Sequence, residues 1–162
     1  MSRRRVVASL KFHELSIGDE WESQGRTITE VDVYHFAGLS GDFNPLHTDY
    51  EFCKQTTFGR PIAHGLLGLA IASGLASHCP RVETMAFLTI LEWRFLHPIH
   101  FGDTVHVLSR VEALEPRSRG RRGLVIWDRQ LVNQNDQIVQ RGRIQTLVQG
   151  PDTSSEPKST DS

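Results

Sequence analysis

The spacing of apolar and polar residues divides the chain into a helical first half and a stranded second half. Thr29 is placed to cap a helix whose first turn carries Glu30 and Asp32, acidic residues suited to the positive end of the helix dipole. Val33, Phe36, Ala37 and Leu39 then recur at helical spacing, and Gly41 predicts the stop. A polar loop follows, Asp42-Phe43-Asn44-Pro45-Leu46-His47, with a short helical turn expected from Asp49. Residues 65–77, GLLGLAIASGLAS, are apolar or small on every side, which predicts a helix buried all round. That run is shorter than the roughly 20 apolar residues a bilayer crossing requires, so no membrane span is expected. Gly68, Ser73 and Gly74 would let a sheet approach the helix closely.

Further along, the period shortens to two. Residues 85–96 are rich in Phe, Leu, Ile and Trp, and Val105, Val107, Val111 and Ala113 alternate with Thr104, His106, Arg110 and Glu112. Strands are also expected over 124–132 and 138–148, joined by a hairpin turn at Asn133-Gln134-Asn135-Asp136, and earlier over 20–27. Long antiparallel strands with one wholly apolar helix predict an α+β domain in which a curved sheet wraps that helix.

Length and composition narrow the class. The 162 residues fit one domain, expected over 13–149, with a basic leader over 1–12 and a disordered, Pro/Ser/Thr-rich tail over 150–162. The N-terminal apolar run stops at Leu10, too soon for an export signal, so a cytoplasmic protein is expected. A formal net charge of -1 argues against a nucleic-acid partner, which needs a basic surplus. Cys53 and Cys79 form no CxxC pair and read as two reduced thiols.

The chemistry concentrates in the loop, which packs a carboxylate, an amide and an imidazole between two helices. Pro45 stiffens it, and a stiff loop presenting Asp42 and His47 together suits proton transfer through one water. On residue type alone, Asp42 equally caps the turn and His47 equally packs. Gly65 opens the apolar helix, where unpaired N–H groups point outward, so it serves either as a donor to a developing oxyanion or for tight packing. His35, His47, His64 and the acids show no matched metal-ligand spacing, so no metal is expected. His97 and His100 read as surface histidines.

This loop, with Arg60-Pro61-Ile62-Ala63-His64-Gly65 after it and Gly102-Asp103-Thr104 further on, resembles the MaoC-like, R-specific enoyl-CoA hydratases. The resemblance runs from about Thr29 to Gly74 and extends to the order of the later strands. It implies a hot-dog fold, a homodimer or assembly of dimers, and no cofactor beyond the coenzyme A of an acyl-CoA substrate, or an acyl carrier protein in its place. It implies that Asp42 and His47 hold and activate the water that attacks C3, with one taking a proton from it and the other delivering one to C2. Asn44 orients the loop, Gly65 donates its N–H to the thioester carbonyl, and Ser73 falls where the family often has a small hydroxyl residue. Tyr50 and Cys53 depart from the family's usual proline and alanine, which bears on the shape of the acyl pocket.

Arg121 and Arg122 lie in a stretch of four arginines between two strands, read either as a solvated hairpin or as a contact for coenzyme A phosphates. Two other functions remain open at this point. A hot-dog thioesterase needs a carboxylate aimed at the thioester carbonyl, and a non-catalytic acyl-CoA binder needs no acid/base pair.

Overall fold

A reciprocal cap starts the first helix. Thr29 Oγ1 accepts from the Asp32 N–H at 3.2 Å, and Asp32 Oδ2 accepts from the Thr29 N–H at 2.8 Å, so α1 runs Glu30–Ser40 as expected. In the computed structural model, which describes residues 8–151, α1 ends on Gly41 in the left-handed region, φ 78°. Residues 1–7 of the expected leader and 152–162 of the expected tail lie outside the described residues. Leu10 bridges to Val82, and Phe12 is buried.

The α1 stripe differs from expectation at one position. Val33 and Ala37 are buried and Phe36 packs beside them, but Leu39 is 84% exposed because it falls off the face that meets the core. The polar loop is also more ordered than expected. Asn44 accepts from the Leu46 N–H, Pro45 sits at the first helical position, and a short α2 (Pro45–Thr48) forms, followed by α3 (Tyr50–Lys54) capped by Asp49.

The expected strand over 20–27 is broken into β1 (Glu20–Glu22) and β2 (Arg26–Thr27). Both pair antiparallel with β4 (Thr104–Arg117), Glu22 against Leu108 and Arg26 against Val105, so the early segment carries one extra residue. Ser23 occupies the interruption and its Oγ accepts from the Val107 N–H. The remaining strands are β3 (Thr84–Phe95), β5 (Arg122–Val132) and β6 (Ile138–Gln149), giving an antiparallel sheet in the order β1-β4-β5-β6-β3. The β5–β6 hairpin turns on Asn133–Asp136 as expected, with Asp136 at φ 58°. Alternation in β4 fails after Val111, where a bulge before Ala113 shifts the register.

The sheet curves around α4 (Gly65–Ala76), giving the hot-dog arrangement. Leu67, Ile71 and Ala72 of α4 pack with Val105, Val107, Leu131 and Val139, each Leu, Ile or Val side chain contributing about 1.5–3 kcal/mol when fully buried. A Cβ at Gly68 would lie 2.9 Å from the Ile99 side chain and collide with Gln140, so glycine there sets the helix-to-sheet distance. The helix is not buried all round, however. The sheet covers one side, leaving Leu66 61% exposed and Ala70 and Gly74 open, so Gly74 serves no close approach. Among the described residues no helix is long and apolar enough to cross a membrane.

Candidate active site

The loop after α1 folds back on itself through its own polar atoms. Asp42 Oδ1 accepts from the Asn44 N–H at 3.2 Å, and Asn44 Oδ1 in turn caps α2. Asn44 thereby sets the turn that points the next side chains inward. His47, at the end of α2, bonds through Nδ1 to the Ile62 carbonyl at 2.7 Å. A carbonyl can only accept, so neutral His47 carries its proton on Nδ1 and leaves Nε2 as an unprotonated base. That Nε2 stands 3.9 Å from Asp42 Oδ2, too far for a direct hydrogen bond and suitable for one water oxygen bonded to both. The two side chains differ in exposure, 11% for His47 and 54% for Asp42, so the imidazole is held by protein while the carboxylate faces outward.

His64 lies behind this pair. Its Nε2 donates to the Asp42 carbonyl at 2.8 Å, its ring stacks on His47 with centroids 3.7 Å apart, and Phe36 of α1 packs on it at 5.0 Å. The fold therefore brings Asp42, His47 and His64 into one cluster, with ligand-type atoms within 4.8 Å of one another, which the sequence spacing does not reveal. His64 has given Nε2 to a backbone carbonyl and His47 has given Nδ1, so each ring keeps one nitrogen, Nε2 on His47 and Nδ1 on His64, the latter buried without a hydrogen-bond partner.

Gly65 starts α4 next to His64. As the first helical residue its N–H has no carbonyl partner within the helix, and it opens with His47 onto a cavity of about 320 Å³. A Cβ on Gly65 would lie 2.9 Å from the Phe95 ring, so packing and an accessible donor both call for glycine. Its carbonyl accepts from Gln140 Nε2 at 3.0 Å, and Gln140 Oε1 accepts from Trp93 Nε1 at 3.0 Å. This relay ties the start of α4 to β3 and β6. A larger depression on the outer face of the sheet is lined by paired charges such as Arg143–Glu112 and holds none of these groups.

The other expected residues are distributed around the molecule. Cys53 is fully buried behind the loop, where its Sγ donates to the Pro45 and Leu46 carbonyls at 3.5 and 3.4 Å, and burial pushes the thiol up. Tyr50 reaches Glu30 at 3.4 Å, and neither departure lines the His47 cavity. Ser73, two turns along α4, lines a separate cavity beside Arg129 and makes no contact with Asp42 or His47 within the chain. Arg121 and Arg122 are exposed at the β4–β5 connection, each bonded to Ser118. Arg122 pairs with Gln149, and Gln140 of the Gly65 relay pairs with Leu131, so the two levels are about 30 Å apart along the strands. The histidines near Pro98 are not both surface groups. His97 lines the His47 cavity, and His100 is half-buried against Ile62.

Sequence reasoning missed His64, Phe95 and Gln140. Gln140 leaves a signal, being polar at an inward position of β6 in register with Ile144 and Val148, and it is 2% exposed. His64 and Phe95 leave none, because their roles depend on which elements meet.

A family model described as the MaoC like domain matches residues 13–125. An (R)-specific enoyl-CoA hydratase of Rhodospirillum rubrum is 36% identical over 109 residues, covering 67% of this chain and 74% of that protein. A 3-hydroxybutyryl-CoA dehydratase of Methylorubrum extorquens is 34% identical over 111 residues, covering 68% and 69%. Among solved structures, a monoamine oxidase regulatory protein from Archaeoglobus superposes with a TM-score of 0.81 at 34% identity, covering 88% of this chain and 96% of the other. An R-hydratase from Pseudomonas aeruginosa gives 0.74 at 28% identity, covering 92% and 94%.

Proposed function

Because the chain belongs to the MaoC-like dehydratase family, we propose that it adds water across the double bond of a 2-enoyl thioester, yielding the R-3-hydroxyacyl thioester. The observation that carries this reading is the His47 tautomer. With its proton held on Nδ1 by Ile62, Nε2 is the free base facing Asp42 across a gap of one water. His47 takes one proton from that water while Asp42 accepts a hydrogen bond from the O–H that remains, and the oxygen attacks C3. Electrons then shift from the double bond onto the thioester oxygen, where the Gly65 N–H meets the developing negative charge. The imidazolium returns its proton to C2, so the net addition is one water and His47 ends neutral. Asn44 holds the turn on which this alignment depends.

The carrier is coenzyme A or an acyl carrier protein, and the working unit is a homodimer. Two observations support the dimer. Among the described residues β3 is an edge strand paired with β6 alone, yet it exposes Phe87, Leu88, Leu91 and Phe95. The uncovered side of α4 carries Leu66. A second copy aligned along β3 covers both, and an apolar edge left open is an aggregation hazard.

The test is loss of enoyl-thioester absorbance with crotonyl-CoA and longer homologues, for the native protein and for Asp42→Asn and His47→Gln. We expect turnover in the native protein, its collapse in both variants, and no free thiol. Release of thiol in step with the absorbance change would show a thioesterase instead, and activity indifferent to both substitutions would overturn the site.

A further inference from the structure

The inner face of β5 buries a cation that the fold does not neutralise. Arg129 is 8% exposed, no carboxylate among the described residues pairs with it, and its Nε has no hydrogen-bond partner. The guanidinium carbon stands 5.5 Å from the centre of the Trp127 ring. Its cross-strand neighbours are Gly142, which offers no side chain, and Ser109, which is fully buried with an unpartnered Oγ. Burial alone pushes Arg129 down to about 10, which still leaves it cationic at neutral pH. Burying an unpaired charge is costly, so a position like this calls for an anion that arrives from outside the chain.

The surroundings say where that anion sits. Arg129 lines a cavity of about 160 Å³ with Ser73, Ser77, Phe87 and Thr146. Phe87 and Thr146 are cross-strand partners at one end of the β3–β6 ladder, and Phe95 and Gln140, which line the His47 cavity, are partners at the other end. Both cavities also border α4, at Gly65 and at Ser73, about 12 Å apart along the helix axis. The two openings therefore lie along one seam between α4 and the β3–β6 edge. A chain anchored by its thioester at Gly65 and laid along this seam runs toward Arg129.

We propose that Arg129 binds a carboxylate at the far end of the acyl chain, so that the preferred substrates are 2-enoyl thioesters of medium-length dicarboxylic acids. This rests on the hydratase reading for the reaction but not for the binding. Arg suits the role because its fork meets a carboxylate with two donors, and Ser73 and Thr146 add hydroxyls beside it, Thr146 Oγ1 accepting from Trp127 Nε1 and keeping its own hydrogen to donate.

Binding is tested first, without turnover, by comparing adipyl-, suberyl- and sebacyl-CoA with hexanoyl-, octanoyl- and decanoyl-CoA as thermal stabilisers. We expect the carboxylate series to raise the melting temperature more in the native protein and to lose that advantage in Arg129→Met. The Met variant alone should melt no lower than the native protein, because it removes a buried charge without leaving a void. In turnover, the matching 2-enoyl thioesters should favour the carboxylate end by about a hundredfold in kcat/KM, with Arg129→Met reversing the order and Arg129→Lys keeping part of it. Equal stabilisation by the two series, or a preference that survives Arg129→Met, overturns the proposal. So does a native protein without preference whose Arg129→Met variant falls apart to monomers, since Arg129 then pairs with a second copy's carboxylate. Preferential stabilisation without turnover would sink the hydratase reading and leave the carboxylate site standing.

Discussion

The imidazole of His64 lies face to face with that of His47, ring centroids 3.7 Å apart, while its Nε2 holds the backbone carbonyl of Asp42. One side chain thus positions both members of the proposed pair, fixing the plane of the base and the path of the loop carrying the carboxylate. It touches no reacting atom in the proposed mechanism. Replacement of His64 by Leu should lower kcat about ten- to a hundredfold with little change in KM, because misplacement by a fraction of an ångström is enough. His64→Asn keeps a donor for the Asp42 carbonyl and should recover part of the loss. Equal damage from Leu and Asn would mean that the stacking, not the hydrogen bond, does the positioning.

The close approach of Phe95 to Gly65 makes a second prediction. In Gly65→Ala the new Cβ would begin 2.9 Å from the ring, so either the ring or the start of α4 must shift. If the start of α4 shifts and carries the Gly65 N–H away from the developing oxyanion, kcat should fall by up to about 10²–10³. Trimming the ring in Gly65→Ala/Phe95→Leu should return most of the activity. A single variant with native kinetics would show that the exposed Phe95 ring gives way instead, since alanine keeps the backbone N–H.

Which parts of this could be read from residue order follows from how local each signal is. The α1 cap, the Gly41 stop and the Asn133–Asp136 turn are each encoded within a few residues, and all appear where expected. The β1–β2 break, the bulge after Val111 and the exposure of Leu39 depend on what each segment packs against, which periodicity does not carry. Likewise Asp42 and His47 stand out because they lie five positions apart, whereas the Gln140–Gly65 bond spans 75 residues and exists only once β6 and α4 meet. The uncovered side of α4 shows the same limit, since an all-round apolar pattern predicts burial but not which side the sheet leaves open.

Gln140 should matter for stability as well as for activity. It is 2% exposed and joins the half-buried Trp93 Nε1 to the Gly65 carbonyl, so Gln140→Leu removes both bonds. The expected cost is about 1 kcal/mol for each hydrogen bond lost, read from denaturant unfolding. Trp93→Phe in the same background should add little, since its partner is already gone. Additive losses from the two substitutions would show that no relay connects them.

Cys53 gives a prediction about alkaline pH. Its folded thiol is pushed above the ordinary thiol value, first by burial and then by the Asp49 charge. A group whose pKa is raised on folding binds its proton more tightly in the native state, so its stabilising contribution is full below the unfolded pKa. As pH climbs past that value the unfolded thiol ionises first, and the contribution is lost until the folded pKa is reached. Stability should therefore decline as pH rises from the unfolded pKa, about 8.5, through the raised folded value. Cys53→Ser retains a donor for the Pro45 and Leu46 carbonyls but does not titrate there, so its decline should be shallower. The same burial should shield Cys53 from a thiol reagent at neutral pH, while the half-buried Cys79 reacts. Parallel alkaline declines in the native protein and in Cys53→Ser would assign the loss to other groups, with Tyr50, also raised, the next to replace.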